Sequence, residues 1–205
     1  MNTDSSDLRS RIAREAATLL YFRLEKEYKQ AKLKAAQNFG ARVLPTNREV
    51  ALELDKIAEE NEGPARTERL IQMRKEALKI MKILKAYCPI LIGSVWRGTI
   101  RSGSDIDITM YNDEPDEIVA LLKANGLKIS KTERMTLAKH GKTETSFHIH
   151  GETSNNLNVE IVVRNSEEDG QRRQCETFGD EIKGLKIQEL EKLLKNNPAQ
   201  RFVPS

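Results

Sequence analysis

The sequence predicts an α+β protein: a helical N-terminal module over residues 1–86, then a mixed β-sheet flanked by helices over residues 87–200. Three observations carry this. Apolar residues recur at helical spacing through the first 86 residues, and no β-like alternation interrupts them. Four short runs after Cys88 are rich in β-branched residues or alternate with period two, at 90–93, 105–111, 143–150 and 157–164, and a further strand-like run spans 127–137. An amphipathic helical pattern at 114–125 separates the second run from the third, so the order reads β-α-β-α-β-β-β-α.

The elements follow from local chemistry. From Asp4 to about Phe39 the chain holds neither Pro nor Gly, which predicts one long helix, with Ser5-Ser6-Asp7 as cap candidates and Leu8, Ile12, Ala16, Leu19 and Leu20 on its buried face. Arg23, Lys26, Lys29, Lys32 and Lys34 collect beyond Tyr21. They read either as a solvated face or as a basic ridge for a phosphate backbone, with Tyr21 and Tyr28 available for stacking. Gly40 ends this helix, and Thr46 or Asn47 caps the next, Arg48–Glu62. Gly63-Pro64 breaks the chain, and a third helix, Thr67–Ala86, carries Leu70, Met73, Ala77, Ile80, Met81 and Leu84. Gly126 closes the helix Glu114–Asn125. Gly141, in a turn with His140, marks one hairpin, and Gly151 with Asn155-Asn156 marks another. The polar stretch Ser166–Gly179 reads as loop, and Ile182–Lys195 as the last helix.

Composition narrows the function classes. Charged residues make up 32% of the chain but the net charge is only +3, so any nucleic-acid surface must be local rather than global. Cys88 and Cys175 match no metal or redox spacing and read as incidental thiols. No apolar run approaches the roughly 20 residues of a membrane span, and MNTDSSDLRSR lacks a signal-peptide core, so the expected location is the cytoplasm, with no membrane partner.

The chemistry concentrates in Pro89–Tyr111, PILIGSVWRGTIRSGSDIDITMY. Asp105 and Asp107 lie two apart on a strand and share a face, while Ile106 and Ile108 go to the core. Paired carboxylates repel each other, which predicts a cation between them, Mg²⁺ or Mn²⁺ for oxygen ligands. Upstream, Gly93-Ser94 precedes a short helical stretch. The glycine permits close backbone approach, the N–H groups attract anions, and Ser94, Arg97 and Ser104 are candidate contacts for a bound nucleotide. A phosphate cradle beside a dicarboxylate is what transfer from a nucleoside triphosphate requires.

Gly93-Ser94, ten intervening residues, then Asp105-Ile106-Asp107 resembles the signature of the DNA polymerase beta-like nucleotidyltransferase superfamily. The string GSVWRGTIRSGSDIDI is similar to that of minimal nucleotidyltransferases, the antitoxin kind included, and to archaeal CCA-adding enzymes, which share the Arg-Gly-Thr. The resemblance covers about Ile90 to Arg164. It implies a nucleotidyltransferase-like sheet flanked by helices, with two divalent metals held by three carboxylates. Glu160 in the alternating run Asn158-Val159-Glu160-Ile161-Val162-Val163 is the candidate third ligand and general base, where many members carry Asp.

His148 and His150 share a strand face, and with matching register they share Glu160's face, as substrate contacts or as structural residues. Trp96 reads as packing. Arg101, Arg164, Arg172 and Arg173 are open between phosphate contact and surface charge, and His140 reads as solvated. The expected activity is transfer of a nucleoside monophosphate from an NTP, ATP foremost, to a hydroxyl on a protein or an RNA. The alternative is a non-catalytic nucleotide-, RNA- or partner-binding module on the same fold. Antitoxin-kind relatives act on helical toxins with an Arg-x₄₋₆-His site, but residues 1–86 contain no histidine, so the N-terminal module is not such a toxin in cis. The CCA-adding role calls for further domains on the tRNA acceptor stem.

Overall fold

The structure is a computed structural model describing residues 3–139 and 142–204, side chains excepted at 3–5 and 137–143. The turn residues His140 and Gly141 lie outside the described residues. The chain forms two compact units. One holds residues up to Arg66 with Gln174–Glu181 and the C-terminal end, and the other holds Thr67–Arg173 and Ile182–Val203. The helix after the Gly63-Pro64 break therefore belongs largely to the sheet unit, and the division falls about one helix earlier than residue 86.

The first unit is helical. The long helix expected from Asp4 to Phe39 is instead two, α1 (Thr3–Tyr21) and α2 (Tyr28–Asn38). Arg23 takes a left-handed conformation, and the Leu19 carbonyl accepts from the backbone N–H of Leu24 and Glu25, which closes α1. The absence of Pro and Gly did not prevent the break because burial favours it. Folding back sets Ala31, Ala35 and Ala36 in one core with Ile12, Ala16, Leu20 and Val50. In α3 (Asn47–Ile83), Thr46 is the cap: its Oγ accepts from the Glu49 N–H at 3.1 Å while Glu49 accepts from the Thr46 N–H at 2.6 Å. Gly63, at φ 52° and ψ −141°, divides α3 into 47–62 and 64–83. The buried Arg66 reaches back across this break to Asp55 and Glu59. The expected basic ridge is partly engaged: Lys32 donates to Asn47 at 2.7 Å, and Lys34 pairs with Glu25 at 2.9 Å.

The second unit is a five-stranded mixed sheet in the order β1-β2-β5-β4-β3. Its strands are β1 (Ile90–Ile92), β2 (Ile106–Tyr111), β3 (Lys128–Lys139), β4 (Lys142–Glu152) and β5 (Asn158–Arg164). β2 and β5 run parallel, and all other neighbours are antiparallel. Between the strands lie the short helix α4 (Gly93–Arg97) and the amphipathic α5 (Pro115–Ala124), with α6 (Ile187–Asn196) at the end. Leu91, Ile106, Ile108, Met110, Ile149, Val159, Ile161 and Val163 share a core with Leu70, Met73, Met81, Leu84, Ile118, Leu122 and Leu190.

Three boundaries differ from expectation. Gly151 is paired within β4, opposite Ile129 and Val159, and the turn falls at 153–156. The last helix starts at Ile187 rather than Ile182, because Leu185 pairs with Leu91 as an isolated bridge. A 3₁₀ turn, Ser166–Glu168, interrupts the stretch read as loop. Both cysteines are free thiols. Among the described residues no helix is long and apolar enough to cross a membrane.

Arg74 carries no signature in the sequence. It is fully buried, and its guanidinium donates to four carbonyls: Val95 at 3.0 Å, Trp96 at 2.8 Å, Pro198 at 2.6 Å and Gln200 at 2.9 Å. Burial lowers its pKa to about 10, so it stays cationic at neutral pH. Arg74→Met should remove four hydrogen bonds and strand their acceptors, at a cost of about 3 kcal/mol or more. Urea unfolding of the two proteins, compared at equal m-value, measures this.

Candidate active site

The candidate site lies wholly within the sheet unit, at the ends of β1 and β2 and on the sheet face opposite the core. Ile92 is the register partner of Asp107, so β1 delivers Gly93-Ser94 directly beside that carboxylate. Gly93 sits at φ +69°, and a Cβ there would lie 1.9 Å from Asp107 Oδ2 and 2.9 Å from its Cβ. No rotamer change at Asp107 relieves a contact with Cβ, so only glycine fits. The Ser94 backbone N–H donates to the Asp107 carboxylate.

Parallel pairing sets Asp107 opposite Glu160, and antiparallel pairing sets Glu160 opposite His150. Directly paired residues project from the same face, so Asp107, Glu160 and His150 form one row across three strands, with His148 two residues along β4 on the same face. Asp105 precedes β2 and joins them electrostatically. Burial first, then the charges of Glu160 and Asp105, push the Asp107 carboxyl from 3.8 to about 7. Ile106 and Ile108 are fully buried on the other face of β2, each contributing roughly 2 kcal/mol, and hold the strand against this repulsion.

The histidines are tied to the acids. His148 Nδ1 lies 2.7 Å from Glu160 Oε1 and its Nε2 lies 2.9 Å from Ser146 Oγ. Because a carboxylate only accepts, Nδ1 carries the proton and Nε2 accepts from the serine. His150 Nε2 stands 3.2 Å from Glu133 Oε1 on β3.

The structure thus sets Gly93, Ser94, Asp107 and Glu160 beside one another, with Asp105 in electrostatic reach of Asp107; among the described residues the group whose ligand atoms lie within 4.8 Å of one another is His148, His150 and Glu160. It does not bring Arg97 to them as a phosphate contact. Arg97 is 4% exposed, stacks on Trp96 at 4.5 Å and donates to the Phe202 carbonyl at 3.0 Å. Stacking and the tail carbonyl satisfy the group in the interior, where no ligand would reach it. Ser104 is likewise engaged locally. Its Oγ accepts from the Arg101 N–H at 2.9 Å and its own N–H donates to the Arg101 carbonyl, closing the turn before Asp105. Arg164 and Arg173 lie near Glu168, with Arg173 3.3 Å from Glu144, so this pair reads as an ion network. Ser146 and Glu133 were missed in the sequence. Only the period-two spacing of Ser146, His148 and His150 could have pointed to the serine.

No protein-family model matches this sequence, and no curated protein does. Among solved structures, that of a GLD-2/RNP-8 complex matches over 60% of this chain at 10% identity and a TM-score of 0.35. The matched part spans 38% of that structure's chain, and a likeness this distant carries no argument about this protein.

Two outcomes are expected here. Gly93→Ala should cost about 1–3 kcal/mol in denaturant unfolding, because it combines a left-handed backbone with a clash at Asp107. The second concerns pH. In metal-free protein the fold retains a proton on Asp107 up to about pH 7, whereas the unfolded chain releases it near 3.8. The native state therefore binds more protons across that window, and Asp107's contribution to stability falls as pH rises through it. In chelator, Asp107→Asn should melt higher than wild type at about pH 8, with the gap shrinking towards about pH 5. Thermal unfolding at both values checks the sign.

Proposed function

We propose that the sheet unit is a nucleotidyltransferase, transferring a nucleoside monophosphate from an NTP, ATP foremost, to a hydroxyl with release of pyrophosphate. The observation that carries this is the pairing of Asp107 with Glu160, with Asp105 in electrostatic reach of Asp107 and Asp107 set against Gly93. A carboxyl whose proton affinity is raised by burial and by two neighbouring acids, as that of Asp107 is by Glu160 and Asp105, is a poor arrangement without a cation, and carboxylate oxygens suit a hard divalent ion. Asp105, Asp107 and Glu160 would hold Mg²⁺ or Mn²⁺, which when bound neutralises polyphosphate charge and activates the acceptor hydroxyl.

In the transfer, the acceptor oxygen bonds to the α-phosphorus, the bond from that phosphorus to the pyrophosphate oxygen breaks, and the hydroxyl proton leaves. Glu160 takes this proton, its carboxylate oriented by His148 and, through that ring, by Ser146. The Gly93-Ser94 turn offers the nucleotide a close backbone approach and a hydroxyl. The acceptor belongs to a protein or an RNA, and the basic run Arg23, Lys26, Lys29, Lys32 and Lys34 is the proposed contact for a nucleic acid.

The test is incubation with α-labelled NTPs and Mg²⁺ or Mn²⁺, reading label transfer to the protein, to a co-purified partner or to RNA. Asp105→Asn, Asp107→Asn and Glu160→Gln should each lower the rate by about 10² or more. NTP binding without metal-dependent transfer to any acceptor would instead mark a binding module on this fold.

A further inference from the structure

His148 and His150 add to the site a chemistry that oxygen ligands do not supply. One donor atom from each of His148, His150 and Glu160 lies within 4.8 Å of the other two. Register produces this. His150 pairs with Glu160, His148 lies two residues away on the same face, and the two rings stack with centroids 6.3 Å apart and 21° between planes. Donors about 2.1 Å from one tetrahedral ion stand roughly 3.4 Å apart, so the trio must draw in by at most about 1.4 Å to share an ion.

Each imidazole also has an outer partner that fixes its orientation, as metal-ligating histidines generally do. Ser146 holds His148 at Nε2 and leaves Nδ1 towards Glu160, while Glu133 holds His150. Loading the site exchanges the tautomer with no net proton release: Nδ1 gives its proton to solvent, Nε2 takes one from solvent and donates it to Ser146 Oγ, which turns from donor to acceptor, and the ring remains neutral.

We propose that His148, His150 and Glu160 form a binding site for a borderline transition-metal cation of the Zn²⁺ class. Imidazole nitrogen selects such ions over Mg²⁺, which prefers oxygen throughout. The face is then divided: a nitrogen-bearing side for Zn²⁺ and an oxygen-only side at Asp105 and Asp107, with Glu160 common to both. Two histidines and one carboxylate leave a coordination position open. Zn²⁺ binding depends on the position of Glu160 and does not require the transfer reaction. It would affect that reaction in one way, since Zn²⁺ on the histidine side draws Glu160 away from Asp107 and should oppose Mg²⁺.

The test is titration of the chelator-treated full chain with Zn²⁺ by calorimetry, in excess Mg²⁺, and with Co²⁺ as an optical probe. The expected result is one equivalent of Zn²⁺ and visible Co²⁺ bands of a nitrogen-bearing site of low coordination number. His148→Ala and His150→Ala should each weaken binding about 100-fold or more, and Glu133→Gln, which keeps every ligand, about tenfold. Asp105→Asn should keep the Zn²⁺ affinity, so a failed transfer assay leaves this result readable. Both histidines are partly exposed on the face away from the core, and melting of the metal-free variants verifies that they fold. Should one not fold, Glu133→Gln and the Zn²⁺-induced rise in wild-type Tm decide. Absence of stoichiometric Zn²⁺ binding, or affinity unchanged in the folded variants, overturns the proposal and leaves the trio a hydrogen-bond network.

Discussion

Arg74 sets the geometry on which the sheet unit's chemistry rests. A helix of five residues such as α4 cannot hold itself together, because nucleation costs more than its few hydrogen bonds return. Its last carbonyls, at Val95 and Trp96, are the ones a helix end leaves unmatched, and the buried guanidinium satisfies both. The same group gathers the carbonyls of Pro198 and Gln200, so one side chain joins the turn after β1 to the C-terminal segment. Arg97 and the stack of Trp96 on Phe202 continue that joint. Gly93 at the other end of α4 then has its place against Asp107 determined from behind.

The sheet divides stability and chemistry between its faces. Isoleucines, valines and Met110 on one side supply the burial that holds the strands, and the other side carries Asp107, Glu160, His148 and His150. Such a face is costly alone, as the elevated Asp107 pKa shows, and the apolar face offsets that cost. His148 and His150 engage acids of this face, His148 by donating to Glu160 and His150 by meeting Glu133. Hard-ion and borderline-ion chemistry can thus adjoin on one surface, because a single glutamate stands between an aspartate and a histidine.

The helical unit is built on different terms. Ala13, Ala16, Ala17, Ala31, Ala35 and Ala36 supply small contact surfaces that let helices approach closely. Its rim is held by pairs such as Arg9 with Glu49 and Arg14 with Glu53. Exposed pairs of this kind contribute little stability, so the apolar face carries the unit and the rim remains open to sequence change.

Much of this protein was legible as sequence. The α+β plan, the Gly63-Pro64 break, the glycine at the β1 exit and the shared face of His148 with His150 all follow from period, turn chemistry and residue type, which are local properties. What only the tertiary structure decided is non-local. Asp107 meets Glu160 through parallel pairing of strands far apart in the chain, and no local pattern encodes which strand lies beside which. The helix expected through Phe39 became a hairpin because burial of small alanines outweighed an unbroken helical pattern. Arg97, an apparent phosphate ligand by its place after Gly-Ser, turned inward because Trp96 and the Phe202 carbonyl satisfy it better. Arg74 looked like one more charge on a helix. Its role exists only where four carbonyls from two distant segments converge, and sequence spacing carries no trace of that convergence.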